Sequence, residues 1–364
     1  MIRPLHGGNL NWAAGLVGCL PGEVLDFSAS INPLGPPASA LVAIEAHLKD
    51  INAYPDPSST ELRQALSVFH QIPADWILPG NGSAELLTWA CRDLAQLSTV
   101  HLMVPAFGDY QRALAAFDAV IQTHPLDVGQ ASQPLPVPDA GAGLLLNNPH
   151  NPTGYLWHQD ALMACLEHFE QVVIDEAFMD FLPEAEQQSL IHCVTEHPHL
   201  VILRSLTKFF SLPGLRLGYA IAHPGLLQRW QQWRDPWSVN VLASAAGIAV
   251  LEDKAFQKRT LAWLPEVQSQ LFTGLQQLPG LTPIPGVANF FLVESDYSVT
   301  ALQRAVLEAD HILIRDCMSF PELGDRYFRV AVRTTAENQR LLNALTTVLA
   351  GVLPTVPSSR QDGA

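Results

Sequence analysis

The sequence predicts an α/β protein: a larger domain on a mainly parallel central sheet, joined to a smaller α+β domain. Three observations predict it. Short apolar runs recur at VHLMV (100–104), GLLLN (143–147), QVVID (171–175) and LVILR (200–204). Helical patterns such as SAELLTWACRDLAQL and DALMACLEHFEQ separate them, and strands joined by helical crossovers pair in parallel with both faces covered. Beyond DPWSVN (235–240) the rhythm changes to a long helical stretch, then ANFFLVES, ILIRDC and YFRVAVRT, which suits a smaller α+β unit. The expected division is 45–240 for the larger domain, 1–44 with 241–354 for the smaller one, and a flexible tail at 355–364.

Composition narrows the function classes. A chain of 364 residues can bury two cores. It is 48% hydrophobic and 15% charged, with a formal charge of −15, so a general nucleic-acid or anionic-membrane surface is not expected. An anionic ligand would need local arginines to overcome that field. The five cysteines (19, 91, 165, 193 and 317) are scattered, odd in number and without a C-x-x-C pair, which suits reduced thiols and a cytoplasmic location. No apolar run approaches a membrane span, and the first residues show no export signal. HCVTEHPH (192–199) mimics a metal cluster but reads as a polar loop, so no metal is expected.

The informative polar residues fall just past the apolar runs. Asn147, Asn148 and Asn151 follow the second run in NNPHNPTG, Asp175 closes the third in VIDEAF, and Ser205, Thr207 and Lys208 follow the fourth. In an open α/β sheet the carboxyl ends of the strands share one edge, where ligands bind. Only four lysines occur, and Lys208 stands between Ser-x-Thr and two phenylalanines, where desolvation would lower its pKa. A lysine, an aspartate and an asparagine at one edge are what pyridoxal 5'-phosphate requires. The lysine holds its aldehyde carbon, Asp175 keeps the pyridine nitrogen protonated, and one of the asparagines hydrogen-bonds the phenolic oxygen.

The cofactor phosphate needs a cradle. PGNGSAELL (79–87) reads as a glycine-rich turn opening a helix, so the amides near Gly82, Ser83 and Ala84 can face a dianion. Ser205 and Thr207 add hydroxyls, Arg216 adds a fixed charge, and Tyr110 in VPAFGDY lies where an aromatic could stack on the pyridine ring. Taken singly, each motif is ordinary: Gly-Asn-Gly and NPTG are turns on many folds, and a lysine after a strand commonly snorkels. Their order and spacing together carry the assignment.

NPHNPTG, DEAF and SLTKFFSLPGLRLGYA resemble the signature of fold type I pyridoxal phosphate enzymes, the aspartate aminotransferase superfamily. Within it the chain is similar to the histidinol-phosphate aminotransferase branch. More narrowly, HGGN (6–9), DFSASINPLGPP (26–37), DPWSVN and ILIRDC resemble the threonine-phosphate decarboxylases of cobalamin biosynthesis. The resemblance reaches to about Leu353. One departure is Phe178, where the aminotransferase branch has a tyrosine, and it leaves the phenolic oxygen to Asn151 alone.

The resemblance also implies a homodimer with shared sites, in which Tyr54 of NAYPDPSST reaches the partner's cofactor phosphate. Arg315, Arg326, Arg329 and Arg333 fall close together in an acidic chain; Arg326 is expected to be a surface ion pair, and Arg329 and Arg333 to share one strand face. By resemblance Arg329 matches a substrate-carboxylate ligand and Arg315 a substrate-phosphate ligand, with His6 and Asn32 assisting. Residue types alone do not divide the two anions between the two arginines. The expected substrate is a phosphorylated amino acid. The resemblance implies decarboxylation of L-threonine O-3-phosphate; histidinol-phosphate:2-oxoglutarate transamination is the alternative, because the catalytic motifs serve both reactions. A non-catalytic regulator is disfavoured by the intact lysine and the lack of a DNA-binding motif.

Overall fold

The computed structural model describes residues 3–351 and 354–356. The chain divides into two compact units: residues 31–151 with 155–262, and the described parts of 1–30, 152–154 and 263–364. The first strand is β1 (Leu25–Asp26). Seven strands then build the sheet of the larger unit: β2 (Ile77–Asn81), β3 (Thr99–Val104), β4 (Ile121–Pro125), β5 (Ala142–Asn147), β6 (Gln171–Asp175), β7 (Leu200–Ser205) and β8 (Leu217–Ile221). β9 (Leu281–Pro283), β10 (Phe290–Ser295), β11 (Ile312–Leu313), β12 (Arg315–Asp316) and β13 (Tyr327–Ala331) follow.

The larger sheet has the order β2-β8-β7-β6-β5-β3-β4. β4, β3, β5, β6 and β7 pair in parallel, and β8 runs against both its neighbours. The four apolar runs of the sequence are β3, β5, β6 and β7, in the sheet interior. Every residue of β5, β6 and β7 is buried, as expected where both faces are covered. β2 and β4 lie at the sheet edges, and neither is an uninterrupted apolar run. β2 contains Pro79 and Gly80, a composition tolerated where a strand has one neighbour.

Register levels the strand ends that matter. Asn147 lies opposite Asp175, Asp175 opposite Leu203, and Ser205 opposite Gly218, while Asn81 closes β2 opposite Leu217. Five strands therefore present their ends, or in β8 the beginning, along one edge. Behind it, Leu86, Leu87, Ala90 and Leu94 of helix Ser83–Leu94 bury one stripe in a core with Leu102, Leu145, Val173 and Val201.

The division differs from the expected one at both boundaries. Residues 31–44 and 241–262 belong with the sheet unit. Ser39 Oγ donates to Asp253 Oδ2 at 2.7 Å, and Gly247 in helix Val241–Glu252 lies where a Cβ would stand 2.6 Å from Leu217 Cδ2. Small residues let this helix close onto the sheet unit, a tertiary demand that its nearly uniform apolarity does not reveal.

In the smaller unit β12-β13-β10-β9 form an antiparallel sheet and β1 pairs in parallel with β11. ILIRDC is thus two short strands. β13 ends at Ala331, so Arg333 is not on the strand with Arg329; it precedes helix Thr335–Leu349, whose Thr334–Glu337 capping box it joins through Glu337 at 2.9 Å. Of the expected tail, 357–364 lie outside the described residues. Thr355 forms a bridge with Tyr297, and Val356 N donates to Asp296 O at 2.9 Å. Among the described residues no helix is long and apolar enough to cross a membrane.

Candidate active site

Asp175 ends β6 with its side chain buried. Tyr110 Oη donates to its Oδ2 at 2.7 Å and Ala177 N donates to Oδ1 at 3.0 Å. Burial pushes the carboxyl above its ordinary range, while Tyr110, Ala177 and the positive charge of Lys208 pull the other way. Tyr110 itself is driven far above the usual phenol range by burial and by Asp175, so it stays a donor. A buried carboxylate with one cationic neighbour suits a second cationic N–H, such as a pyridinium.

Next along the edge, Asn147 ties two strand ends together. Its Nδ2 donates to Asp175 O at 2.7 Å, and its Oδ1 accepts Asn151 N at 2.6 Å. Asn148 clamps the returning chain through both polar atoms, to Trp157 N at 2.9 Å and Trp157 O at 3.2 Å. NNPHNPTG is therefore a braced turn that holds Asn151 just past β5, mostly buried.

The phosphate cradle is assembled from three segments. Gly82, at φ 77°, precedes helix Ser83–Leu94, whose first amides lack acceptors within the helix. A Cβ on Gly82 would lie 2.6 Å from Arg216 Nη2, and one on Gly218 would lie 2.4 Å from Ser83 N. Both positions must be glycine for the turn, β8 and the guanidinium to approach. Arg216 takes a left-handed conformation (φ 58°) after the Pro213–Leu215 turn, and its Nη1 donates to Pro213 O at 3.1 Å. Ser205 Oγ and Thr207 Oγ1 share a hydrogen bond of 2.7 Å and are buried beside half-buried Lys208. The N-terminal amides, two hydroxyls and a guanidinium fit a phosphate dianion, so this edge fits pyridoxal 5'-phosphate.

Two expected roles look different in three dimensions. Tyr110 packs its ring in the core and uses its hydroxyl on Asp175; it is a hydrogen-bond donor to the aspartate rather than a stacking face. Phe107, half-buried and edge-on to Tyr110 at 5.6 Å, is the aromatic left nearer the surface of this segment, and the sequence reading passed over it. Tyr54 is 79% exposed and stacks on Trp237 with centroids 4.4 Å apart. Asn32 is buried with its amide committed to protein partners, so the expected substrate contact is not available to it.

In the smaller unit, Arg315 and Arg329 sit opposite one another on β12 and β13. Arg315 Nη2 donates to Leu5 O and, at 2.6 Å, to Ser319 Oγ. Arg329 Nη2 donates to Ser28 O at 3.3 Å, and its guanidinium lies 4.9 Å from the Phe290 ring centroid. Burial, then the charge of Arg315, lowers Arg329 to about 10. Arg315 is lowered chiefly by burial. Two desolvated like charges side by side have the chemistry to suit an anionic ligand. Arg326, by contrast, pairs with Glu294 at 2.8 Å.

HGGN packs against the same place. Gly8 N donates to Ser28 Oγ at 2.8 Å, and a Cβ on Gly7 would fall 2.2 Å from Ser28 O. A small cleft is lined by His6, Gly7, Ser28 and Arg315 together. Ser30 Oγ and Asn289 Oδ1 are also buried in this unit without a hydrogen-bond partner. Neither was singled out from sequence, since a lone serine or asparagine carries no signal until its neighbours are known.

The chain belongs to the aminotransferase class I and II family, whose profile matches residues 22–345. Among its relatives, a threonine-phosphate decarboxylase from Salmonella typhimurium is 40% identical, covering 97% of this chain and 99% of that protein. A histidinol-phosphate aminotransferase from Symbiobacterium thermophilum is 33% identical, covering 90% and 91%. The crystal structure of L-threonine-O-3-phosphate decarboxylase from Porphyromonas gingivalis superposes with a TM-score of 0.80 at 25% identity, over 89% of this chain and 99% of that one.

Proposed function

We propose that this protein is a pyridoxal-phosphate-dependent decarboxylase. It converts L-threonine O-3-phosphate to (R)-1-aminopropan-2-yl phosphate and carbon dioxide, for the cobalamin nucleotide loop. The observation that carries the substrate class is the cross-strand pair of buried Arg315 and half-buried Arg329. Threonine phosphate has two anionic groups for two guanidiniums, whereas histidinol phosphate has one and would leave an arginine for a second substrate. The 40% identity to a decarboxylase over nearly the whole chain, against 33% to an aminotransferase, supports the same choice.

When bound, pyridoxal phosphate supplies an electron sink for the bond broken at Cα. The chain's residues do the rest. Asp175 holds the proton on the pyridine nitrogen, Asn151 donates to the phenolic oxygen, and Phe178 in the DEAF motif offers no second hydroxyl there. Gly82, Ser83, Ala84, Ser205, Thr207 and Arg216 grip the phosphate. Arg329 takes the carboxylate and Arg315, with His6, takes the substrate phosphate. Anchoring the substrate at both ends would select which Cα bond is broken, and in a decarboxylase that is the bond to the carboxylate. Carbon dioxide would depart as the bond's electron pair passes to that sink, and the Lys208 amine would deliver the proton that takes its place at Cα.

We further infer a homodimer in the cytoplasm. Leu41, Val42, Leu48, Ile51, Tyr54 and Trp237 are large apolar residues exposed on the sheet unit, a pattern that suits a covered face. Tyr54 would then serve the partner's cofactor phosphate, and sedimentation of the purified protein reads the assembly state. The five cysteines are unpaired, in keeping with a reducing compartment.

The test is incubation with threonine phosphate alone, assaying carbon dioxide and keto-acid separately. Steady carbon dioxide release without an added keto-acid is expected, with little pyridoxamine phosphate formed. Robust histidinol-phosphate transamination with no carbon dioxide from threonine phosphate would overturn the reading.

A further inference from the structure

We propose that Asn32 is a positioning residue for Lys208, fixing the backbone from which the lysine reaches, and not a ligand of the substrate. The proposal rests on the cofactor reading above. Asn32 is 1% exposed and its polar atoms all meet protein partners. Its backbone N donates to Lys208 O at 3.1 Å, and its O accepts the Ser211 hydroxyl. Both Nδ2 hydrogens are used, to Phe209 O at 2.8 Å and Thr260 Oγ1 at 2.9 Å, and Oδ1 accepts Leu34 N at 3.0 Å. No amide hydrogen is left for a bound anion.

The need for such a clamp follows from the strand. β7 ends at Ser205, so no sheet ladder holds residues 208–211. A lysine side chain has four rotatable bonds, and its amine is placed reproducibly only if its backbone is fixed first. Phe209 anchors the segment on one side, against Phe181 at 5.3 Å and Phe256 at 6.3 Å. Asn32 holds the other side through the carbonyls of Lys208 and Phe209. Gly35 belongs to the same device: a Cβ there would lie 2.8 Å from Ser211 Oγ and 3.2 Å from Phe256 Cζ, so only glycine lets the 32–35 turn close onto the lysine segment.

The experiment compares wild type, Asn32→Ala and Thr260→Val as purified holoenzymes. Borohydride trapping on Lys208 in wild type comes first; if it fails, the cofactor reading fails, whatever Asn32 does. With trapping established, Asn32→Ala is expected to lower kcat for threonine phosphate by about 10- to 100-fold while KM moves by less than about threefold. Amide hydrogen exchange across 206–212 should accelerate, and the pH midpoint of the bound cofactor's absorbance should shift. Thr260→Val, which removes one acceptor and spares Asn32, should shift exchange and midpoint the same way by less. If Asn32→Ala does not fold, Thr260→Val alone decides: unchanged exchange, kcat and midpoint overturn the proposal. A tenfold or larger rise in KM with unchanged exchange and absorbance would make Asn32 a substrate ligand instead. A fall in thermal stability with kcat, midpoint and exchange at wild-type values would reduce it to ordinary packing.

Discussion

The cofactor edge of the sheet unit and the arginine pair of the smaller unit are built on opposite electrostatic plans. At the sheet edge nearly every polar side chain has a partner within the protein: Asp175 with Tyr110, Asn147 with Asp175 and Asn151, Ser205 with Thr207. In the smaller unit two cations sit opposite one another, Arg315 buried and Arg329 half-buried, and Ser30 and Asn289 of the same unit keep unpartnered oxygens. Satisfied networks are rigid and suit a group that stays bound through many turnovers. Two desolvated like charges on neighbouring strands are held at a cost that a bound anion relieves, which suits a ligand that must come and go.

The most severe way to break the sheet-edge side is Lys208→Ala. Turnover should vanish, and borohydride should no longer fix the cofactor to the protein; a label mapped to Lys49, Lys254 or Lys258 in wild type would end the assignment. Next is Asp175→Asn, which removes the charge that keeps the pyridine nitrogen protonated. A fall in kcat on the order of 100-fold or more, with little change in KM, is expected.

Arg315→Ala probes the other plan. Truncating a buried charge-assisted contact costs about 2–5 kcal/mol in binding, and threonine lacking its phosphate should lose a similar amount in kcat/KM with the wild type. Inorganic phosphate offers a readout free of catalysis. At a hundredfold excess over its Kd it should stabilise the wild type by about 2.7 kcal/mol, and the increment attributable to this site should disappear in Arg315→Ala.

A smaller effect concerns pH and the cofactor-free protein. The Asp175 carboxyl is raised by burial above its unfolded value of 3.8, so the folded chain holds a proton that the unfolded chain has released. Stability from this group is therefore fully present below the unfolded pKa and is lost as pH rises through the folded one. Cofactor-free wild type should lose stability relative to Asp175→Asn as pH climbs from about 4, and parallel denaturation curves for the two proteins would refute this. The smallest expected change is Tyr110→Phe, which removes one hydrogen bond worth about 1 kcal/mol. Without that donor the Asp175 pKa rises further, so the acid limb of the kcat profile should move to higher pH.

How much of this was legible varies with the reach of each signal. Lys208, Asp175 and Asn151 could be read because each closes a buried strand or lies within four residues of its end, so local sequence places them at the sheet edge. Four of the five interior strands, β3, β5, β6 and β7, were legible for the same reason: covered on both faces, they are continuous apolar runs. β2 was not, because Pro79 and Gly80 are tolerated only through its edge position, which the chain reveals on folding. The Arg315–Arg329 pairing depends on antiparallel register between strands, and a one-residue slip would have turned one guanidinium to the other face.

By itself the sequence determined the α/β class, the interior strand runs and the identity of the groups beyond their ends, since these depend on periodicity and on neighbours within a few residues. Only the tertiary structure decided that Tyr110 spends its hydroxyl on Asp175 and that the 32–35 turn closes onto the lysine segment. It likewise settled that Asn32 is consumed as a brace and that Gly82 and Gly218 are glycines for the sake of Arg216 and Ser83. Each of those outcomes is set by contacts between residues far apart in the chain, and burial, close approach and hydrogen-bond saturation exist only once those residues have met.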